Sequence, residues 1–137
     1  MIYRRVIPVE FNHCDPAGIM FYPRYFEMTN SVVENFFREV AGRSYAAMMD
    51  AGEGVPTARL ETEFHAPTRL GEVLDWRLVV TRLGGSSVGF TVEAWCGTSH
   101  RVTAKLVLVW VEAGGRPKPW PEAIRGRIAA FQEADDA

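Results

Sequence analysis

Residues 13–28 read His13-Cys14-Asp15-Pro16-Ala17-Gly18-Ile19-Met20-Phe21-Tyr22-Pro23-Arg24-Tyr25-Phe26-Glu27-Met28. Asp15-Pro16-Ala17-Gly18 has the composition of a type I turn, with Asp first, Pro second and Gly fourth. Tyr22-Pro23 reads as a helix start, because proline in the first turn gives up an N–H that has no partner there. From Pro23 to Val40 an apolar arc of Tyr25, Phe26, Met28, Val32, Val33, Phe36, Phe37 and Val40 lies opposite a narrower polar stripe. That stripe holds Arg24, Glu27, Ser31, Glu34 and Arg38, and Gly42 stands where the helix can end. An arc that wide predicts a helix covered on most sides. It is the expected core of the fold.

The same helix start has chemical consequences. Its first N–H groups are unpaired and carry partial positive charge, which suits an anion or a polarised carbonyl. A loop holding Asp15 just ahead of that end sets a carboxylate opposite an oxyanion-stabilising site. Taken alone, Asp-Pro-x-Gly is also a common structural turn.

Outward from this block, Tyr3 to Phe11 alternates, with Tyr3, Ile7, Val9 and Phe11 on one side. It reads as a strand that Pro8 confines to an edge or irregular position. Ser44 to Gly52 reads as a short second helix. Four strands follow: Ala58–Ala66, Leu74–Thr81, Val88–Ala94 and Val102–Val111, the last apolar on both faces and so expected to be central. The connectors Gly84–Ser87 and Gly97–Ser99 are short enough for hairpins, which predicts an antiparallel meander. A proline-rich link, Arg116 to Pro121, leads into a C-terminal helix with Ile124, Ile128 and Phe131 on one face. One strand, a buried helix and a meander make an α+β fold. A sheet wrapped around one helix leaves edges and a face to cover, and oligomerisation is a natural answer.

At 137 residues the chain is expected to form one domain, 1–137. A net charge of −2 gives no electrostatic reason to expect nucleic acid or an anionic membrane as partner. No apolar run has transmembrane length, and MIYRRVIPVEF lacks the apolar stretch of a signal peptide, so a cytoplasmic location is expected. Cys14 and Cys96 form neither a disulfide framework nor a metal spacing, and His13, His65 and His100 have no ligand spacing either.

Phe11, Cys14-Asp15-Pro16-Ala17-Gly18-Ile19, Phe21-Tyr22-Pro23 and Tyr25, in this order of elements, resemble the hotdog-fold acyl-CoA thioesterases, most nearly the 4-hydroxybenzoyl-CoA thioesterase type. The resemblance implies a five-stranded antiparallel sheet wrapped around a central helix, and hydrolysis of a small aromatic or short-chain acyl-CoA without cofactor or metal. It also implies a homodimer or homotetramer with sites at subunit contacts. The carboxylate matching Asp15 would attack the thioester carbonyl or activate water, and the N–H matching Tyr22 would polarise that carbonyl. A thiolate leaves readily near neutral pH, so a carboxylate and two or so aimed donors suffice. The chain departs from that type in two places. The turn that carries CoA-phosphate cations there reads Leu83-Gly84-Gly85-Ser86-Ser87 here, with Arg82 the nearby cation; the Ser86 and Ser87 hydroxyls and backbone N–H groups are left to receive phosphate. Pro67, flanked by His65 and Thr68, stands near the position of a threonine hydroxyl.

Other residues carry two readings each. His13 can orient Asp15, hold a water or touch substrate, or be a loop histidine without duty. Cys14 beside His13 could be a nucleophile, but neighbouring side chains point apart and packing explains it. Phe21, Tyr25 and Phe26 can shape an acyl pocket or simply fill the core. Glu63 and His65 read as surface strand residues or as pocket lining, and Arg59 as a solvated strand charge or a phosphate contact. Two rival functions share the fold. A non-hydrolytic acyl-CoA-binding module predicts affinity without turnover. A hotdog hydratase would want a His with a helical acid, and His13 lies ahead of the helix while Glu27 and Glu34 sit on its polar stripe.

Overall fold

The computed structural model describes residues 1–134. Strand β1 spans Tyr3–Pro8, α1 Tyr22–Phe36, α2 Tyr45–Asp50, β2 Thr57–Phe64, β3 Val73–Leu83, β4 Ser87–Cys96, β5 Ser99–Val109, and α3 Glu122–Glu133. Two short strands, β6 Val111–Glu112 and β7 Arg116–Pro117, pair with each other in the link before α3. The main sheet is antiparallel with order β1-β3-β4-β5-β2. This is the α+β arrangement that the sequence predicts, a five-stranded sheet around a long helix.

The helix lies along one sheet face because its apolar arc and the inner sheet positions are both aliphatic and aromatic. Tyr25, Met28, Val32, Val33 and Phe36 are buried against Trp76, Leu78, Phe90, Val92 and neighbouring inner residues. Beyond Phe36 the helix widens into a π turn, Phe37–Ala41, before Gly42 ends it at φ 77°. Phe36 and Phe37, at the junction of the two, are both fully buried. α1 is therefore four residues shorter at this end than the Pro23–Val40 expectation. At its start Tyr22 is the first helical residue and Pro23 the second.

Three strand expectations change. β1 stops at Pro8, and Phe11 falls in a 3₁₀ turn, Phe11–His13, where it is 83% exposed rather than on the inner strand face. Only β3, β4 and β5 form the meander. β2 crosses over and pairs with β5, so it neighbours no strand adjacent to it in sequence. β5 is therefore interior but not central. β4 is the middle strand, and Lys105 and Val107 of β5 face outward and are exposed.

These pairings orient the sheet. Val9, Glu72, Cys96, Ser99 and Phe64 lie at one end; Leu83, Ser87, Val109 and Thr57 lie at the other. The ten residue steps along β3 separate those ends by roughly 33 Å. Among the described residues no helix is long and apolar enough to cross a membrane.

Candidate active site

The segment between β1 and α1 folds back on itself as a miniature ladder. The Phe21 N–H donates to the His13 carbonyl at 2.9 Å, Cys14 bridges Met20, and the Asp15 N–H donates to the Ile19 carbonyl at 2.9 Å. Gly18 closes the turn by donating to the Asp15 carbonyl at 3.0 Å, with φ 79° that a glycine accepts without strain. A third segment joins it from the β2–β3 crossover. Ile19 bridges Arg69, Met20 donates to the Thr68 carbonyl at 2.7 Å, and Leu70 donates to the Gly18 carbonyl at 3.1 Å.

Side chains alternate across such a ladder and cross-strand partners share a face. Cys14 and Met20 therefore point into the core, as their packing shows. Asp15, Ile19, Phe21 and Arg69 share the outward face. Cys14 packs on the core with its Sγ toward the Glu10 carbonyl, and His13 Nδ1 is taken by the Glu10 N–H, so the two side chains are not hydrogen-bonded to each other.

Asp15 is held by its own turn: the Ala17 N–H donates to its Oδ1 at 2.9 Å. Its Oδ2 has no partner among the described residues. The Tyr22 N–H, first of α1, likewise meets no acceptor among them, whereas the Arg24 N–H is already bonded to the Phe21 carbonyl at 2.9 Å. A carboxylate oxygen and an unpaired helix N–H thus stand at the two ends of one short ladder. His13 is fixed by the 3₁₀ turn, whose capping arrangement has the Glu10 N–H donate to His13 Nδ1 at 2.9 Å.

An aromatic wall flanks the helix start. The Phe64 ring, at the end of β2, makes edge contacts with Tyr22, Tyr25 and Phe26, with centroids 5.3–6.4 Å apart. Phe64 remains 48% exposed and Tyr22 60%. Tyr25 differs from its neighbours: it is 4% exposed, and its hydroxyl bonds the buried Thr68 hydroxyl at 3.0 Å. Tyr25 braces the crossover from the core side, and Thr68, next to Pro67, spends its hydroxyl on that brace.

Beside α1, past Phe26, a cavity of about 220 Å³ opens between the helix and β2. Its walls include Phe26, Val33, Leu60 and Leu106, with Asn30, Tyr45 and Thr57 as polar lining. Burial, with the Glu34 carboxylate adding to it, pushes the Tyr45 phenol up to about 12, so it stays a proton donor. Its hydroxyl has no partner among the described residues.

Arg82, Ser86 and Ser87 lie at the far end of the sheet, roughly 30 Å from the ladder within one protomer. That turn is clasped by the C-terminal segment. Arg125 Nη1 donates to the Gly84 carbonyl at 2.6 Å, the Trp120 N–H to Gly85 at 3.0 Å, and the Trp110 N–H to Ser86 at 2.7 Å. Arg125 is a second cation at a turn where the sequence offers Arg82 alone. On the outer sheet face a groove of about 520 Å³ continues from the turn past Arg82, Ser87, Gly89, Thr91 and Lys105. Arg82 and Lys105 have no acidic partner among the described residues, while Arg59 beside them is paired with Glu61 at 3.3 Å.

Sequence reasoning missed Arg69, Phe64 and Arg125. Each reaches its place through a long-range pairing that no local pattern encodes.

The sequence profile of the thioesterase-like superfamily matches residues 9–128. The chain belongs to that superfamily. No curated protein matches it by sequence. Solved structures share its fold at low identity. The 1,4-dihydroxy-2-naphthoyl-CoA thioesterase from Synechocystis superposes with a TM-score of 0.85 at 17% identity, covering 94% of this chain and 96% of that one. A Staphylococcus aureus protein solved in complex with CoA gives 0.91 at 16% identity, covering 97% and 85%. A gentisyl-coenzyme A thioesterase gives 0.83 at 22% identity, covering 91% and 98%. This superfamily member keeps the ladder, the helix start and the crossover as one hydrogen-bonded unit.

Proposed function

We propose that this protein hydrolyses an acyl-CoA thioester carrying a small aromatic acyl group, in the manner of the 4-hydroxybenzoyl-CoA thioesterase type. The observation that carries the reading is that one short ladder holds both an Asp15 Oδ2 and a Tyr22 N–H without partners among the described residues. The thioester carbonyl oxygen takes the Tyr22 N–H, where the helix end favours developing negative charge. Asp15 either attacks the carbonyl carbon, expelling CoA thiolate and leaving an anhydride that water opens, or takes a proton from the attacking water. Both routes give the free acid and CoA and regenerate the carboxylate.

The acyl group fits the cavity beside α1. An apolar cavity of about 150 Å³ takes benzene, so about 220 Å³ accommodates an aromatic ring with a substituent or a short chain. The unpartnered Tyr45 hydroxyl, with Asn30 and Thr57, favours a polar substituent on that ring. The structural neighbours named for naphthoyl and gentisyl thioesters are in keeping with this class.

The nucleotide end of CoA belongs, in this reading, at Arg82, Ser86, Ser87, Lys105 and Arg125. One protomer cannot supply both ends, because they are a sheet length apart. β2 is an edge strand with seven of its eight residues exposed, a surface that calls for a partner. Two copies paired antiparallel along β2 run their sheets in opposite directions, so each protomer's Asp15 end is carried toward the partner's Arg82 end. A homodimer, or a homotetramer built from it, is the working state.

The test is steady-state hydrolysis of aromatic, short-chain and long-chain acyl-CoAs by wild type and Asp15→Asn, followed by thioester absorbance. Cleavage of the aromatic class with a loss of about a hundredfold or more in the variant is expected. Acyl-CoA binding without turnover would instead make this a binding module.

A further inference from the structure

We propose that His13 is a second oxyanion donor, acting through Nε2–H beside the Tyr22 N–H. This rests on the thioesterase reading and adds a catalytic residue to it. A neutral imidazole has one N–H and one lone pair, and which nitrogen holds which is set by its partners. Nδ1 of His13 receives the Glu10 N–H at 2.9 Å, so Nδ1 supplies the lone pair and Nε2 carries the proton. The ring therefore has no lone pair left for substrate. It cannot act as a general base or metal ligand through Nε2, and what it offers the site is a donor.

The backbone around it is equally committed. The His13 N–H donates to the Glu10 carbonyl at 3.0 Å, and its carbonyl receives the Phe21 N–H at 2.9 Å. The residue is pinned from three sides, and its carbonyl is tied to the residue immediately before the Tyr22 donor. That bond sets His13 beside the start of α1, two residues ahead of Asp15 in the chain. A single backbone N–H at a partly open helix end is a modest oxyanion site. A pre-oriented imidazole donor beside it supplies the second hydrogen bond without reorganisation.

Asparagine and glutamine separate this role from loop capping. In His13→Asn the amide oxygen takes the place of Nδ1 and keeps the Glu10 N–H bonded, but nothing donates from the Nε2 position. In His13→Gln the amide nitrogen takes the place of Nε2 and the capping bond is lost. The expected result is that His13→Asn lowers kcat by about 10²–10³-fold with KM little changed, while His13→Gln keeps most of kcat despite a lower melting temperature. In ¹⁵N-labelled protein the resting ring should give the pattern of a protonated Nε2 and bare Nδ1. Wild-type kcat in His13→Asn, equal kcat losses in both variants, or a protonated Nδ1 would overturn the proposal. Absence of turnover by the wild type on every acyl-CoA would instead remove the thioesterase reading, and the donor role with it.

Discussion

Arg101 grips Glu72 with both terminal nitrogens, Nη1 to Oε1 at 2.9 Å and Nη2 to Oε2 at 2.8 Å, and the pair holds the crossover that the ladder leans on. Arg101 Nη1 also donates to the Pro67 carbonyl at 3.0 Å, and Glu72 Oε1 accepts the Arg69 N–H at 2.7 Å. Between those anchors lie Thr68 and Arg69, whose backbones pair with Met20 and Ile19. A bidentate guanidinium–carboxylate pair fixes angle as well as distance. The Asp15 turn is thus held through a side-chain clamp on a different part of the chain.

That clamp makes stability acid-sensitive in a defined window. The Arg101 hydrogen bonds, then the Arg69 N–H, draw the Glu72 carboxyl from its ordinary 4.5 down to about 2. A carboxylate whose folded value lies below its unfolded value contributes stability that is complete above the unfolded value and disappears as pH falls toward the folded one. Glu72→Gln is expected to cost about 1.5–3 kcal/mol at pH 7, the range for hydrogen bonds to charged groups. The gap between variant and wild type should close between pH 4.5 and about 2. Urea denaturation across that range measures it, and a pH-independent gap would mean that the clamp contributes no charge-dependent stability.

Tyr25 is expected to act as a brace rather than a substrate contact. Tyr25→Phe leaves the buried Thr68 hydroxyl without its partner, at a cost of about 1–3 kcal/mol. The denaturation midpoint should fall while KM for the preferred acyl-CoA stays near wild type. A large rise in KM with unchanged stability would return Tyr25 to the pocket.

Tyr45 should discriminate by substituent. Removing its hydroxyl in Tyr45→Phe takes away one neutral hydrogen bond, about 0.5–1.5 kcal/mol, or roughly two- to tenfold in kcat/KM. The loss should be confined to acyl-CoAs with a polar ring substituent and be absent for the unsubstituted benzoyl thioester. Equal losses on both would show that the hydroxyl does not face the acyl group.

Much of this molecule can be read from local sequence because its signals are local. The Asp15–Gly18 turn needs Asp, Pro and Gly at fixed offsets, and the structure has the expected 3.0 Å closing bond. The apolar arc from Tyr25 to Phe36 predicts a buried helix, since periodicity reports which face is covered. The Gly84 and Gly97 connectors predict the antiparallel hairpins β3–β4 and β4–β5. Periodicity does not report what does the covering. That β2 crosses to β5, that Phe64 caps the helix start and that Arg125 reaches the Gly84 turn all depend on pairings between residues far apart in sequence. So do the arrival of Arg69 opposite Ile19, the burial of Tyr25 and the Arg101 clamp on Glu72. Side-chain alternation told which residues of 14–21 could share a face, but only the hydrogen-bond register, set when the crossover docks, decided that Asp15, Phe21 and Arg69 share it. A one-residue slip in that register would have turned the same side chains into the core.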